Sequence, residues 1–255
     1  MRNRYSLRYC IFTLVVLVLP TTPAWADLML TSTVQRTAVL ELYTSEGCSS
    51  CPPADRWLHQ FTTDARLWRD IVPLAFHVDY WDYLGWRDRF AHPEHTARQQ
   101  TYAAIGGIKT VYTPGLVLNG REWRGWFERR TLPIPPAAAV GVLTAQLGTQ
   151  QVVATFTSTT PHHEPLQLNL AWLGFDIVSN VTAGENGDRK LEHDFVVLTL
   201  SSLTTLPDKD HNGAYRWQLD TQRPDNSAKA VAMWVSRPDD PTPLQAVGGW
   251  LESAQ

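Results

Sequence analysis

The sequence predicts an α/β unit followed by an all-β one, on three observations. Strand-like and helix-like runs alternate as far as about Leu147. After that point the chain is nearly all short alternating strands with turn signals between them, which is the texture of a small β-sandwich. The 255 residues fit one large or two modest domains.

Taken in order, residues 1–26 read as an export signal. Arg2, Arg4 and Arg8 form a basic start, Ile11–Leu19 is a short apolar run, and Ala24-Trp25-Ala26 has the small-x-small pattern of a cleavage site. Such a run is too short to span a bilayer, and no later stretch is long enough to do so. The expected location is therefore periplasmic or secreted, with no membrane-spanning segment after the signal is removed. "TAVLELYTS" predicts a strand and "ADRWLHQFTTDARLW" a helix with Trp57, Leu58, Phe61 and Ala65 on one face. "IVPLAFHVDYW" predicts a second buried strand, and "DRFAHPEHTARQQTYAAIGG" a polar helix stopped by Gly106 and Gly107. "GLVLNGREWRGW" predicts a hairpin turning at Asn119-Gly120, and "AAAVGVLTAQLG" a closing helix ending at Gly148. The domains are thus expected at 34–148 and 149–255. In the second, strands are predicted at "QVVATFTS", "LQLNLAWLGF", "KLEHDFVVLTL", "AYRWQLDT", "AKAVAMWVS" and "LQAVGGW".

Charge narrows the partners. Without Arg2, Arg4 and Arg8 there are 19 basic residues against 25 acidic ones, a net charge of about −6. A nucleic-acid partner calls for a basic face and is not expected.

The chemistry centres on "SEGCSSCPPAD". Cys10 leaves with the signal, so the remaining chain keeps only Cys48 and Cys51, three residues apart. A staple closing so short a loop stabilises by roughly 2 kcal/mol, and a chain of this size has core enough without it. Structural zinc wants four ligands, for which His77, His92 and His95 are the further candidates. Copper needs fewer, so Cys48, Cys51 and His77 could form a copper site. The reading given first place is redox chemistry. A strand, a tight C-x-x-C turn and a helix bring the first thiol to the start of a helix, which favours thiolate. Cys48 is then the nucleophile and Cys51 the resolving thiol. Pro52 and Pro53 are comfortable only in a first helical turn, so the helix should begin near Cys51 or Pro52.

The order of elements around this pair resembles the thioredoxin fold. The position matching that fold's cis-proline is Thr113-Pro114 in "VYTPGLVLNG". The resemblance implies that Pro114 faces the cysteines and that the backbone at Thr113 pairs with an extended substrate segment. More closely, "VLELYTSEGCSSCPPAD", "FHVDYWDYLGWRD", "YTPGLVLNG" and "GENGDRKLEHDFVV" are similar to the successive motifs of the DUF1223 family of secreted thioredoxin-like proteins. The fold class expected is therefore an α/β thioredoxin-like domain with an insertion, followed by an all-β sandwich-like domain.

Other residues could support the pair. Glu41, in the first strand, could accept the proton of Cys51, as an acid in that strand does in thioredoxins. Asp79, Trp81 and Asp82, at the end of the second strand, could face the cysteine turn and grip a substrate. Gly184 to Gly187 read as a connection between two strands. The function expected is an exported thiol-disulfide oxidoreductase acting on a protein or a small thiol or disulfide. It needs no cofactor beyond the Cys48–Cys51 disulfide and no bound metal. The alternatives are a non-catalytic binding module and a copper-handling protein using the same cysteines.

Overall fold

The computed structural model describes residues 28–128, 130–133, 138–208, 213–224 and 227–251. The expected export signal, with Cys10, lies outside them. β2 (Ala38–Thr44) and β3 (Ile71–His77) run parallel, with Ala38 opposite Ile71 and Thr44 opposite His77. Every residue of both strands is buried. Cover on both faces is why they read as continuous apolar runs rather than alternating ones.

Between them, α1 (Pro52–His59) begins at Cys51, and the two prolines occupy the first turn, where a missing N–H costs nothing. It passes into a 3₁₀ turn at Gln60–Thr63, short of the helix expected as far as Trp68. Thr62, Thr63 and Asp64 are poor helix formers, because β-branching and a competing side-chain acceptor both work against the helical ladder. α2 (Pro93–Ala104) has Pro93 in its first turn, and its cap, His92, accepts a hydrogen bond from the Glu94 N–H. β4 (Gly115–Leu118) and β5 (Arg121–Glu122) form the expected hairpin. Asn119 and Gly120 both take positive φ, 48° and 80°, as a two-residue hairpin turn of this kind requires. The Thr113–Pro114 peptide is cis.

From there the structure departs from expectation. "AAAVGVLTAQLG" was expected as a helix, but it supplies β6 (Gly141–Leu147), which pairs with β1 (Leu28–Thr31) and β7 (Gln151–Ser158). Gly141, Leu143, Ala145 and Leu147 are buried alternately along it, so burial with period two overrides the helix preference of alanine. With β12 (Tyr215–Asp220), these strands make a four-stranded sheet in the order β1-β6-β7-β12.

The remaining long strands are β8 (Leu166–Gly174), β11 (Val196–Thr205), β13 (Ala228–Arg237) and β14 (Asp240–Trp250). They extend the first sheet, giving one eight-stranded sheet in the order β14-β13-β8-β11-β3-β2-β4-β5. The join is parallel, Val196 opposite Ala75, with the Ala75 N–H donating to the Phe195 carbonyl at 2.8 Å. A third, two-stranded sheet pairs β9 (Ile177–Val181) with β10 (Arg189–His193).

The described residues are therefore mostly β, with fourteen strands and two α-helices in three sheets. This overturns the expected α/β thioredoxin-like fold class with its separate sandwich-like domain. Periodicity along the chain reveals a strand but not its partner, and here the decisive pairing, β11 on β3, joins residues more than a hundred positions apart.

Two cores lie on opposite faces of the large sheet. Leu168, Leu170 and Trp172 of β8, with Val231, Met233 and Val235 of β13, pack toward the four-stranded sheet. The alternate residues Ala171, Leu173, Ala230, Ala232 and Trp234 join the core of β2, β3, β4 and the helices. The sheet curls so far that β14 returns toward β2. The Pro241 carbonyl accepts from Arg98 of α2, and a Cβ at Gly120 would collide with the Thr242 side chain.

Candidate functional site

β2 ends at Thr44 and the chain turns at once. The Cys48 N–H donates to the Ser45 carbonyl (3.1 Å), the Cys51 N–H to the Cys48 carbonyl (3.2 Å), and the Cys51 carbonyl accepts the first helical bonds from Ala54 and Asp55. This tight turn closes the Cys48–Cys51 disulfide. Ser49 and Ser50 at its tip are exposed, while both cysteines are fully buried. The Ser50 hydroxyl lies 3.3 Å from the Cys48 sulfur.

The cover comes from the other half of the chain. Asn186, itself buried, donates from Nδ2 to the carbonyls of Glu46 (2.8 Å) and Cys48 (2.9 Å). Arg189 holds its Oδ1 at 2.6 Å, and Glu185 accepts from the Ser49 N–H at 3.0 Å. The segment Gly184 to Gly187, read as a plain connection, thus clamps the cysteine turn.

The structure gathers some of the expected residues and not others. Trp81 donates from Nε1 to Thr113 Oγ1 at 2.7 Å, and its Cβ lies 3.0 Å from where a Cβ on Gly47 would stand. Trp81 therefore ties the cysteine turn to Thr113 and the cis bond to Pro114. Asp79 is engaged elsewhere, accepting the Thr96 hydroxyl at 2.6 Å. Asp82 accepts from the Asp88 N–H at 3.1 Å, and burial raises its pKa, with the charges of Asp88 and Asp79 adding to the effect. Glu41 points away from α1. Thr44 bonds Asp55 of α1, whereas Glu41, an odd number of residues earlier, bonds Arg98 of α2. Both its oxygens are engaged, by Arg98, Tyr102 and Tyr43.

Next to the cysteine turn lies a buried polar cluster that the sequence reading missed. Glu46 stands two residues before Cys48 and Asp55 four after Cys51; His77 ends β3, Asp88 follows it, and His193 ends β10. All five are buried. His77 Nδ1 is 2.6 Å from Asp88 Oδ2, which also accepts the Glu46 N–H at 2.9 Å. Trp86 donates to Glu46 Oε2 at 2.7 Å. His193 sits between two carboxylates, Nε2 at 3.6 Å from Glu46 Oε1 and Nδ1 at 3.7 Å from Asp55 Oδ1.

Burial alone would hold the His193 imidazole neutral, but the carboxylates of Asp55 and Glu46 overcome it and push its pKa up to about 10. Burial likewise opposes ionisation of Glu46, yet His193, Ser179 and Trp86 bring its carboxyl below the usual value. Burial opposes ionisation of Asp88, but the adjoining His77 ring and bonds from the Glu46 and Phe90 N–H groups outweigh it and set Asp88 at about 2. His77, a candidate ligand on sequence grounds, is hydrogen-bonded through Nδ1 alone, and its Nε2 is buried without a partner among the described residues. The available signal was the concentration of His77, Asp88, Asn186 and His193 in two of the quoted motifs.

The model of a family described as "Protein of unknown function (DUF1223)" matches residues 39–236. No curated protein matches the sequence. Among solved structures, the Agrobacterium tumefaciens protein AGR_C_4864 is similar, with a TM-score of 0.58 and 23% identity over 86% of this chain and 96% of that one. HBP35 of Porphyromonas gingivalis is similar with a TM-score of 0.57 and 16% identity over 88% of this chain and 78% of that one. At these identities the likeness is one of fold.

Proposed function

The chain belongs to the DUF1223 family, and from that premise we propose that it is a thiol-disulfide oxidoreductase working through Cys48 and Cys51. The observation that carries the reading is the closure of these cysteines as a disulfide in a single turn between a buried strand and the first residue of a helix. Ser49 and Ser50, exposed at the tip, mark the side of approach, and Trp81 with Thr113 forms the adjoining wall.

In the oxidising direction, a thiolate of a dithiol partner attacks Cys48 Sγ. The Cys48–Cys51 bond breaks, and Cys51 leaves as a thiolate and takes up a proton. The partner's second thiolate then attacks its own bridged sulfur, releasing Cys48 as a thiolate. The partner leaves as a disulfide, having given up two electrons, and the pair is a dithiol. The reverse steps reduce a disulfide. The Ser50 hydroxyl, 3.3 Å from Cys48 Sγ, is placed to donate to the Cys48 thiolate. Because both cysteines are buried and the clamp bonds the Cys48 carbonyl, attack requires the 184–187 segment to move aside. The basic, apolar and small-residue pattern of residues 1–26 supports export into an oxidising compartment.

A Cys51→Ser variant should accumulate mixed disulfides through Cys48 with partner proteins, visible as bands lost on reduction. If none form, and the Cys48 thiol reacts with iodoacetamide no faster than free cysteine, the pair is a structural staple and the chain a binding module.

A further inference from the structure

Beyond that reading, the geometry points to a site for a divalent transition metal of the zinc class, held by His77, His193 and Asp55. One donor atom from each of Asp55, His77 and His193 lies within 4.8 Å of the others, and all three residues are buried. The donors come from separate parts of the fold: the end of β3, the end of β10 and the first turn of α1. No local turn accounts for their meeting.

Unpartnered atoms supply the independent observation. His77 Nε2, His193 Nδ1, His193 Nε2 and Glu46 Oε1 are buried without a hydrogen-bond partner among the described residues. A buried polar atom left without a partner is costly, and four in one place are hard to explain as packing. A proton shared by His193 and its carboxylates is the simplest rival. An imidazolium between two acids should draw in to roughly 2.7–2.9 Å, whereas these separations are 3.6 and 3.7 Å. The spacing suits something larger than a proton.

The surroundings complete the case. His77 directs Nδ1 at Asp88, 2.6 Å away, which leaves the Nε2 lone pair free. A carboxylate behind a ligating imidazole in this way fixes the tautomer and makes the ring a stronger donor. Phe90 walls the two histidines, its ring centroid 5.4 Å from that of His77 and 6.4 Å from that of His193. Two imidazoles with one carboxylate suit zinc and its divalent neighbours, which accept three protein ligands and an open position. As a disulfide, the cysteine pair offers no thiolate, so this site is distinct from one built on Cys48 and Cys51.

The test is cobalt and zinc titration of the full, oxidised, chelator-treated protein at neutral pH. One equivalent of cobalt should bind with the visible spectrum of nitrogen and oxygen donors, and zinc should displace it and raise the melting temperature. His77→Ala and His193→Ala should abolish stoichiometric binding, and Asp88→Asn should weaken it by roughly 10–100-fold as a positioning residue. The Cys48→Ser/Cys51→Ser protein should bind as the parent does. A parent protein that takes up no cobalt and is not stabilised by millimolar zinc overturns the inference. So does a thiolate-to-metal band lost in the cysteine variant, or binding unchanged in both histidine variants. If the histidine variants fail to fold, the parent's cobalt spectrum still decides. Loss of disulfide exchange in the trapping experiment would leave this result untouched.

Discussion

Two buried charged clusters border β2, and they differ in completeness. Around Glu41 both carboxylate oxygens are served. Arg98 bonds both carboxylate oxygens at 2.8 and 2.9 Å, and Tyr102 and Tyr43 add bonds of 2.6 and 2.8 Å. The Pro241 carbonyl takes Arg98 at 3.2 Å, and the guanidinium lies over the Trp234 ring at 5.1 Å. Around Glu46, His193 stands beyond hydrogen-bond distance of its two carboxylates, and buried nitrogens go without partners among the described residues. Complete buried networks rigidify a core, whereas incomplete ones are expensive unless they have another use. The first cluster joins α2 to both β2 and β14. The second is where a guest or a reaction belongs.

The largest effect is expected from Arg98→Met. It leaves the Glu41 carboxylate buried without its cation, and should cost about 3–5 kcal/mol in denaturant unfolding. Adding Glu41→Gln should recover part of that loss. If the two effects simply add, the network is not the unit described here.

Next in size is the response to acid. His95 lies between the clusters, its Nδ1 2.9 Å from the His77 carbonyl and its ring edge-on to Phe76. Burial pushes its pKa down to about 4, against a bond to the His77 carbonyl that works the other way. The unfolded chain protonates this group near pH 6.5, so its neutral burial adds stability that is present above that pH. The contribution is lost as pH falls toward 4, on the order of 3 kcal/mol. In His95→Gln the fall in stability between pH 6.5 and 4 should flatten, and an unchanged slope would assign the acid limb to other groups.

Removing the disulfide with Cys48→Ser/Cys51→Ser should lower stability by about 2 kcal/mol, because the closed loop is so short. A much larger loss would make the pair a staple first and a redox centre second. The smallest effect expected is that of Asn186→Ala. It removes two hydrogen bonds to buried carbonyls and should cost about 1–2 kcal/mol. The same variant should speed reduction of Cys48–Cys51 by dithiothreitol, and an unchanged rate would show that the 184–187 segment is not what shields the pair.

Much of this was legible along the chain, for a physical reason that varies from element to element. The strands at Ala38–Thr44, Ile71–His77 and Gln151–Ser158, the hairpin at Asn119-Gly120 and the helix start after Cys51 are each written in neighbouring residues by apolar runs, turn formers or prolines. The strand at Gly141–Leu147 was misread because Ala145 and the alanines just before the strand favour a helix locally, while its alternate burial depends on β1 and β7. Within the site, the cysteine pair announces itself by spacing. Glu46, Asp88, Asn186 and His193 do not, since each is an ordinary polar residue until brought to the others.

By itself the amino-acid order determined the positions of most strands and both helices, the closure-ready spacing of Cys48 and Cys51, and the acidic balance of the chain. These are properties of near neighbours, governed by dihedral preference, side-chain period and loop length. Tertiary structure alone decided that β11 lies against β3, that Asn186 seals the cysteine turn, and that Glu41 is saturated while His193 is not. Those outcomes depend on which distant groups share a desolvated space, where an unmet hydrogen bond is costly and a met one locks the fold.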